Sequence, residues 1–429
     1  MPTPFDAAYL ALLGMASPWV AKRLLTSSKG RANLREKLTG NIDIPAKTRS
    51  RVWFHGVSVG EIHLLRHVVA QFVKRRPDCE PVVSSSTQTG LIEARRCFHT
   101  IVPWPFDFSW AVQRALKLVQ PDLIVLAESE LWPTMLIAAE RANVPVVVIN
   151  GRLSPQTARH WRATQSIGRM LFNRVRFFAM QTPEYADNVI ALGVPPERVV
   201  VTGSVKFDGV QTERGNPQTH VLADLFDIQP DDTIWVAGST QAPEEEGCLR
   251  IYQDLVKQHP DLRLVLVPRQ KERFDEVAAL LQRSGLPFIR RTALPCPMPN
   301  RAVILVDTIG ELRAVWGLAD IAFVGGSLDG QRGGQNMIEP AAYGAAVTFG
   351  PHVWNFRSTA EQLVACGGAV QVSDFAQLAA TTEKQLGLAT REAIGERAQA
   401  FVISQQGATE RTLEVLDRYL CPHSSAAAA

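Results

Sequence analysis

Two series of short apolar, β-branched runs alternate with helical stretches along this chain of 429 residues. A run of this kind, bounded by turn residues and followed by a 3.6-residue periodicity, predicts a strand that leads into a helix. In the first series, strands are expected at Val52 to His55, Pro81 to Ser84, Leu123 to Ala127, Val146 to Ile149, Phe177 to Met180 and Val199 to Thr202. In the second series, they are expected at Ile234 to Ala237, Leu262 to Val267, Val303 to Val306, Ile321 to Val324, Ala346 to Phe349 and Val370 to Val372. Each series predicts a doubly wound α/β domain, in which helices cover both faces of a parallel sheet.

A polar stretch separates the two series. Residues 209 to 222 contain Gly and Pro and lack periodicity, which predicts a linker. We therefore expect an α/β domain over residues 39 to 208, a second over residues 223 to 423, and a disordered tail at 424 to 429. Two such Rossmann-like domains that face each other across a cleft form the GT-B architecture of many glycosyltransferases, which is at this point an analogy of fold only.

The N-terminus is apolar and then basic. The apolar run from Ala7 to Val20 contains Pro18 and is shorter than the ~20 residues that a helix needs to cross a bilayer. Cations follow it at positions 22, 23, 29, 31, 35 and 37, against a single Glu36. This pattern suits a helix that lies in the membrane interface, with its cations on anionic head groups. A helix packed on the protein's own surface fits equally well, and residues 1 to 38 are treated as a membrane-associating segment.

Charge and cysteine content restrict the possible partners. The formal net charge is only +3, which disfavours nucleic acid because phosphate-backbone binding requires a strongly basic surface. The six cysteines are scattered and form no C-x-x-C pair, so the sequence predicts no zinc site and no disulfide framework.

The first predicted strand runs into a tight turn, Gly56-Val57-Ser58-Val59-Gly60, and then into a helix. Side chains at such a junction lie at the carboxyl edge of the sheet, where open α/β proteins bind ligands. The turn matches the G-x-S-x-G nucleophile elbow, which would make Ser58 the nucleophile of a serine hydrolase. Alternatively, Glu61 is a carboxylate base that the helix dipole keeps ionised, or it simply caps the helix.

Polar clusters follow three other strands of the first series. They are Ser84 to Gly90, which includes Ser86 and Thr87; Glu128 to Pro133; and Asn150 to Ser154, which includes Arg152. Because the carboxyl ends of parallel strands lie at one edge of a sheet, these clusters would line a site for a polar substrate with phosphates.

The second series contains features of a phosphate cradle. Gly238 and Ser239 precede a helix, and Gly326 follows a predicted buried strand, so backbone N–H groups at these junctions are expected to bind anions. Glu339 lies three residues after Asn336, one helical turn on, where its carboxylate can accept the hydroxyls of a ribose. The chain contains no D-x-D motif, which argues against a donor whose diphosphate is bridged by a metal ion. No metal or cofactor is expected.

The chain contains a series of motifs that would rarely occur together, and in this order, by chance. They are His55-Gly-Val-Ser-Val-Gly-Glu61, Glu128-Ser-Glu-Leu-Trp-Pro133, Asn150-Gly-Arg-Leu-Ser154, Lys206-Phe-Asp208, Ala237-Gly-Ser-Thr240, Pro268-Arg269, Asp307-Thr-Ile-Gly-Glu-Leu312 and Asn336-Met-Ile-Glu-Pro340. With these motifs the chain resembles the 3-deoxy-D-manno-octulosonic acid (Kdo) transferases of lipopolysaccharide synthesis. The resemblance implies an inverting, metal-independent transfer of Kdo from CMP-Kdo to lipid IV(A), at the cytoplasmic face of the inner membrane.

The resemblance also implies roles for individual residues. Glu61 would be the general base, with Glu130, or less favourably Glu128, and Lys206 stabilising the transition state. The resemblance implies that CMP contacts Pro268, Arg269, Ile309, Gly310, Glu311, Asn336, Met337, Ile338 and Glu339. Gln241, Gln270 and Gln335 stand where the family usually has histidine, which removes titratable groups near the donor phosphate. Two alternatives remain open at this point: a GT-B enzyme that uses a UDP-sugar, and a serine hydrolase.

Overall fold

The computed structural model describes residues 6, 9–11, 33–297, 299 and 301–420. Its contacts divide the chain into two compact units. The first unit combines the chain up to Asp208 with the segment that starts at Gln406, and the second unit is Gly209–Gln405.

The first unit is built on a seven-stranded sheet in the order β3-β2-β1-β4-β5-β6-β7, with every pair parallel. Its strands are β1 (Ser50–His55), β2 (Cys79–Ser85), β3 (Ile101–Pro103), β4 (Leu123–Ala127), β5 (Val146–Gly151), β6 (Phe177–Met180) and β7 (Val199–Val201). Its helices are α1 (Leu34–Thr39), α2 (Val59–Arg75), α3 (Gln88–Cys97), α4 (Ser109–Val119), α5 (Pro133–Arg141), α6 (Pro155–Ala163), α7 (Gln165–Phe172) and α8 (Pro183–Ile190).

The second unit repeats this plan, with a parallel sheet in the order β10-β11-β9-β8-β12-β13-β14. Its strands are β8 (Thr233–Thr240), β9 (Leu262–Pro268), β10 (Phe288–Arg290), β11 (Val303–Leu305), β12 (Ile321–Val324), β13 (Ala346–Phe349) and β14 (Ala369–Gln371). Its helices are α9 (Pro217–Leu225), α10 (Glu244–Leu255), α11 (Phe274–Ser284), α12 (Leu312–Val315), α13 (Ile338–Ala342), α14 (Arg357–Ala365), α15 (Phe375–Leu386) and α16 (Leu388–Gln405). The prediction of two Rossmann-like domains of the GT-B class is confirmed.

Both faces of the first sheet are buried. Trp53 and Ile124 belong to a cluster on one face, and Phe54 and Val125 belong to a cluster on the other. Neighbouring residues of a strand point to opposite faces, so a strand that is apolar throughout must be covered on both sides. This explains why the central strands read as continuous apolar runs rather than as alternating patterns.

Two predicted boundaries are wrong. The last helix, α17 (Ala408–Asp417), was assigned to the second domain, but Leu413 and Leu416 pack against the first unit in the cluster that contains Phe54. An amphipathic helix does not encode which of two apolar sheets it covers. The predicted linker also extends too far, since Asn216 caps α9 and the helix begins at Pro217 within residues 209 to 222.

The N-terminal segment lies largely outside the described residues, as does the tail at 424 to 429. None of the helices in the described ranges combines the length and hydropathy that crossing a bilayer requires. Lys37, which the sequence grouped with the membrane-facing cations, is buried, and its ammonium donates to the carbonyl of Ser86 at 2.7 Å. For this residue the surface assignment is wrong.

Candidate functional site

The turn after β1 places a carboxylate at the start of α2. Ser58 is the N-cap of the helix, and its hydroxyl and the carboxyl of Glu61 form a capping box. The Oε1 atom of Glu61 accepts from the Ser58 hydroxyl at 2.8 Å and the Ser58 N–H at 3.3 Å, and Oε2 accepts from the Val57 N–H at 2.8 Å. A carboxylate offers about four lone-pair positions, so three bonds leave one on Oε2 for another donor.

Glu61 is only 9% exposed. Burial raises the pKa of its carboxyl, and the negative charge of Glu128 raises it further, while the bonds from Val57 and Ser58 oppose the rise. A carboxyl with a raised pKa is a stronger base when ionised, which suits it to take a proton.

Two more carboxylates and an ammonium lie near Glu61. Burial raises the pKa of Glu130, with further contributions from the charges of Glu61 and Glu128. The ammonium of Lys206 lies 3.5 Å from Oε1 of Glu128. The predicted set of Glu61, Glu130 and Lys206 therefore comes together, and the direct partner of the lysine is Glu128, the glutamate that the sequence interpretation ranked second.

Strand ends and one short turn position this cluster. Glu128 follows β4 with a φ of 60°, and Asn150 in β5 has a φ of 50°, both in the left-handed region that asparagine tolerates better than most residues. Asn150 is fully buried, and its Oδ1 accepts from the Val205 N–H at 3.1 Å. This bond fixes the single 3₁₀ turn Val205–Phe207, which carries Lys206. The sequence indicated Asn150 only as part of a polar loop.

The hydrolase interpretation of Ser58 is wrong. A nucleophile elbow holds its serine in a strained turn, whereas Ser58 is extended, with a φ of −99° and a ψ of 163°. Among the described residues no histidine is bonded to its hydroxyl. His55 instead stacks on Trp104 with ring centroids 3.8 Å apart, its Nδ1 lies 3.0 Å from the Ser84 hydroxyl, and burial lowers its pKa to about 3.

The remaining candidates of the first unit mainly shape the turn. The Thr87 hydroxyl donates to the Val57 carbonyl at 2.6 Å, and it also caps α3. The Ser86 hydroxyl is buried without a hydrogen-bond partner. Arg152 has an exposed side chain, while its backbone N–H donates to the Ser129 hydroxyl at 2.9 Å. Of the three residues, Arg152 is the one that presents a free charge to a ligand.

In the second unit, the expected anion cradle at Gly326 already contains an anion of the protein itself. Glu244 is fully buried, and its Oε2 accepts from the N–H groups of Gly326 at 2.7 Å and Gln241 at 3.0 Å. Its Oε1 accepts from the N–H groups of Ser327 at 2.9 Å and Leu328 at 3.1 Å. The N–H group of Gly326 therefore already donates to Glu244. The prediction that this N–H group binds a substrate phosphate is wrong.

Packing accounts for the glycine at position 238. A Cβ atom at Gly238 would lie 2.4 Å from the Trp316 ring, so the residue must be glycine whether or not an anion binds. Ser239 is 6% exposed and has a φ of 55°. Gly238 therefore serves the close approach of β8 to Trp316, and a role of either residue in ligand binding stays a prediction.

A second group of charged residues surrounds Glu339. The Nε of Arg313 lies 3.4 Å from Oε1 of Glu339, and bonds or charges from Asn336, Arg313 and Arg269 lower the pKa of this carboxyl. Burial is the larger effect and raises the pKa overall. Arg313, which the sequence interpretation missed, is therefore part of the site, and only its position one residue after the Asp307 to Leu312 motif could have indicated it.

The other predicted nucleotide contacts differ in exposure. Ile309 is 69% exposed, next to Gly310, whose φ of 97° favours glycine. Glu311 pairs with Arg291 at 2.8 Å. Met337 and Ile338 are buried at 0% and 1% exposure, so they can offer a ligand only backbone groups. Pro268 ends β9, and the following Arg269 donates its N–H to the Thr240 carbonyl at 3.0 Å.

The described part of the chain contains no group of three or more His, Cys, Asp or Glu side chains arranged to hold a metal ion. The expectation that the reaction needs no metal or cofactor stays a prediction.

A family profile described as "3-Deoxy-D-manno-octulosonic-acid transferase (kdotransferase)" matches residues 28–209. The 3-deoxy-D-manno-octulosonic acid transferase of Haemophilus influenzae is 31% identical over 422 residues, which covers 97% of this chain and 96% of that protein. The Bordetella pertussis protein of the same name is 33% identical over 398 residues, covering 88% of this chain and 89% of the relative.

Among solved structures, a glycosyltransferase from Rickettsia africae matches with a TM-score of 0.55 and 13% identity, covering 87% of this chain and 99% of that one. Such a likeness shows the fold, here that of the GT-B glycosyltransferases. The sequence relatives extend over nearly the whole chain, and they show the family. The protein belongs to the 3-deoxy-D-manno-octulosonic acid (Kdo) transferase family of glycosyltransferases.

Proposed function

We propose that this protein transfers Kdo from CMP-Kdo to a hydroxyl of lipid IV(A), with Glu61 as the general base. One observation carries the assignment: Glu61 is a buried carboxylate with a raised pKa whose Oε2 accepts a single bond from its own turn. A group that is fixed in place and still has a vacant acceptor position can receive the proton of a substrate hydroxyl. Family membership supports the choice of donor and of the transferred sugar.

In the proposed step, the acceptor oxygen attacks the anomeric carbon of Kdo while Glu61 takes the proton from that oxygen. The bond between the anomeric carbon and the phosphate oxygen breaks, and CMP leaves with the electron pair. Because attack and departure occur on opposite faces in one displacement, the configuration inverts.

The neighbours of Glu61 match the charge that develops in this step. The sugar becomes cationic as its bond to phosphate weakens, and we assign stabilisation of that charge to the carboxylate of Glu130, which interacts electrostatically with Glu61. Lys206 supplies a cation for the developing negative charge, and its pairing with Glu128 holds the ammonium in position. Arg152, exposed at the same sheet edge, suits a phosphate group of the acceptor.

We assign recognition of the nucleotide to the second unit. Glu339 follows Asn336 on the first turn of α13, where its carboxylate can accept the ribose hydroxyls. Arg269 and Arg313 interact electrostatically with this carboxyl, and their guanidinium groups are the cations that we assign to the donor phosphate. Gln241 and Gln335 place neutral amides next to Gly326, since the Nε2 atom of each would lie 3.3 Å from a Cβ added to that glycine. The protein is proposed to work at the cytoplasmic face of the inner membrane, held there by the apolar and basic residues that precede α1.

The test is an incubation of the full chain with CMP-Kdo and lipid IV(A), in which products are identified and counted by mass spectrometry. The expected product is lipid IV(A) that carries Kdo. Glu61→Gln keeps the shape of the side chain and removes the base, so its kcat should fall roughly 10²- to 10⁴-fold, while CMP still protects it from thermal unfolding.

A matched control is Glu184→Gln. Glu184 also lies in the first turn of a helix of the first unit, but it is exposed, so this variant should keep wild-type turnover. Near-normal turnover of Glu61→Gln would refute the base assignment. Stronger thermal protection by UDP than by CMP would instead favour a UDP-sugar as donor.

A further inference from the structure

The Lys206-Phe-Asp208 motif contains an aspartate to which the proposed reaction assigns no role. Asp208 directly follows the 3₁₀ turn that carries Lys206. Its Oδ1 accepts from the Gly407 N–H at 2.7 Å, and its Oδ2 accepts from the Thr409 N–H. Both donors lie at the start of α17, where helix amides have no partner within the helix. A residue almost 200 positions away in sequence is thereby attached to the lysine turn.

Two further bonds attach the same stretch to the C-terminal segment. The Nε of Arg411 donates to the Thr202 carbonyl at 2.9 Å, and the Nε2 of Gln406 donates to the Phe207 carbonyl at 3.3 Å. The stretch from Thr202 to Asp208 therefore has an anchor from α17 at each end.

Helix α17 is itself fixed to the helix that begins at the proposed base. Leu413 and Leu416 lie in the apolar cluster that includes Ile62 and Leu65 of α2. At the far end of α17, Oδ2 of Asp417 lies 2.7 Å from Nε of Arg75, which is the last residue of α2. One C-terminal helix thus connects the element of the proposed base with the turn of the proposed lysine.

We propose that Asp208 is a positioning residue for the transfer reaction, which acts through Lys206 by attaching the lysine turn to α17. The inference rests on the proposed role of Lys206. A lysine side chain is flexible, so the position of its ammonium depends on how well its backbone is held. The turn has Asn150 as its anchor at Val205 and Asp208 as its anchor at the other end. Displacing a catalytic group by about 1 Å can cost roughly 10²-fold in rate.

The test is a double-mutant cycle on the full chain with Lys206→Ala, Asp208→Ala and the combined variant. Initial rates are measured with CMP-Kdo and lipid IV(A), and thermal unfolding is followed for each protein. Asp208→Ala should lower kcat about 10- to 100-fold and leave the KM for CMP-Kdo within about twofold of wild type. The combined variant should be no slower than Lys206→Ala within about twofold, because an effect exerted through the lysine disappears with it.

Asp417→Ala is the matched control. It removes the ion pairs of the same helix with Arg75 and Arg76 without touching the stretch from Thr202 to Asp208, so it should lower the melting temperature and leave kcat within about twofold of wild type. If Asp208→Ala does not fold, Asp208→Asn serves in its place. The side-chain amide of this variant keeps one oxygen, which can accept from the Gly407 N–H. Its NH₂ group is a donor and cannot accept from the Thr409 N–H.

The outcomes separate the two proposals. Suppose that Lys206→Ala is strongly impaired and that the fold-losses in kcat of the two single variants multiply in the combined variant. This result would overturn the role of Asp208 and leave the proposed function intact. A control variant as slow as Asp208→Ala would also overturn it, because general loosening of α17 would then explain the effect. Wild-type turnover of Lys206→Ala would overturn both the role of the lysine and the inference that rests on it.

Discussion

The two units each place a buried glutamate in the first turn of the helix after a central strand, and the two carboxylates are used differently. Glu61 accepts three bonds, all from residues within four positions in sequence. Glu244 accepts four bonds, and three of them come from a loop that begins 82 residues later. Every lone-pair position of Glu244 is taken, whereas Glu61 has one to spare.

This difference separates a chemical role from a structural one. Glu244 joins the start of α10 to the loop after β12 and has no capacity left for a substrate proton. The loop in turn supports the nucleotide residues, since the Gly334 N–H donates to the Gly326 carbonyl at 2.8 Å shortly before Asn336. Burial raises the pKa of both carboxyls, so it is the hydrogen-bond count that distinguishes Glu61, the proposed base, from the structural Glu244.

Removal of the Glu244 carboxylate should have the largest effect on stability. Glu244→Ala leaves four backbone N–H groups without their acceptor in a dry interior, which should cost roughly 3 to 5 kcal/mol. The measurement is the melting temperature, together with protection by CMP. The control is Glu246→Ala on the same helix, which loses only an exposed pair with Arg250 and should change stability by less than about 1 kcal/mol. Equal effects of the two variants would contradict the structural role of Glu244.

A methyl group on the glycine before each glutamate tests how tightly the two turns pack. At Gly238 the added Cβ would lie 2.4 Å from the rigid Trp316 ring, so Gly238→Ala should cost about 1 to 3 kcal/mol. At Gly56 the added Cβ would lie 3.0 Å from the Cβ of Glu61 and 3.1 Å from a methyl group of Leu65, so a shift of only a few tenths of an ångström is required. Thermal unfolding should therefore rank Gly56→Ala as the more stable variant, and the reverse order would show that the turn of the proposed base is the more rigid one.

Loss of the cap on α2 should have a smaller effect on stability and a distinct effect on pH dependence. Ser58→Ala removes an N-cap worth about 1 kcal/mol. It also removes a hydrogen bond that lowers the pKa of Glu61, so that pKa should rise. The proposed mechanism requires the ionised carboxylate, so the acid limb of the kcat profile should move to higher pH. An unchanged limb would mean that another group controls it.

The opposite shift is expected when the like charge near Glu61 is removed, and it is the smallest of the predicted effects. Glu128→Gln deletes a charge that raises the pKa of Glu61, so that pKa should fall and the acid limb should move to lower pH. The same change releases Lys206 from its ion pair, so a reduced kcat on the plateau is also expected. Profiles measured between acid and neutral pH separate the two effects, since only the first moves the midpoint.

The architecture was accessible from the sequence because both sheets are buried on two faces. Each predicted strand overlaps an observed one, and the two that were missed, β3 and β10, are three-residue strands at the sheet edges. Length alone does not explain this, because the equally short edge strand β7 was predicted: β7 is valine throughout, whereas β3 ends in proline and β10 ends in arginine, which interrupt an apolar run. The assignment of α17 failed for another reason, since its apolar face specifies burial without specifying a partner.

The candidate site was accessible only where the chemistry is local. The capping box at Ser58 and Glu61 follows from spacing alone, and so does the placement of Glu61 at the carboxyl edge of the sheet. The pairing of Lys206 with Glu128 joins residues on different loops, and the burial of Lys37 joins α1 to the loop after β2. Contacts of this kind depend on which strands are neighbours, which no short-range pattern encodes.

By itself, the sequence determined two parallel α/β sheets and a carboxylate at the first turn of α2, because apolar periodicity and helix capping act over a few residues. Only the tertiary structure decided which carboxylate keeps a vacant acceptor position, that Glu244 occupies the expected phosphate cradle, and that α17 returns to hold the lysine turn. The physical reason is that hydrogen-bond saturation and burial are properties of atoms brought together across 80 to 200 residues of chain. Hydrogen-bond saturation and burial are established only when segments distant in sequence pack together in the folded protein.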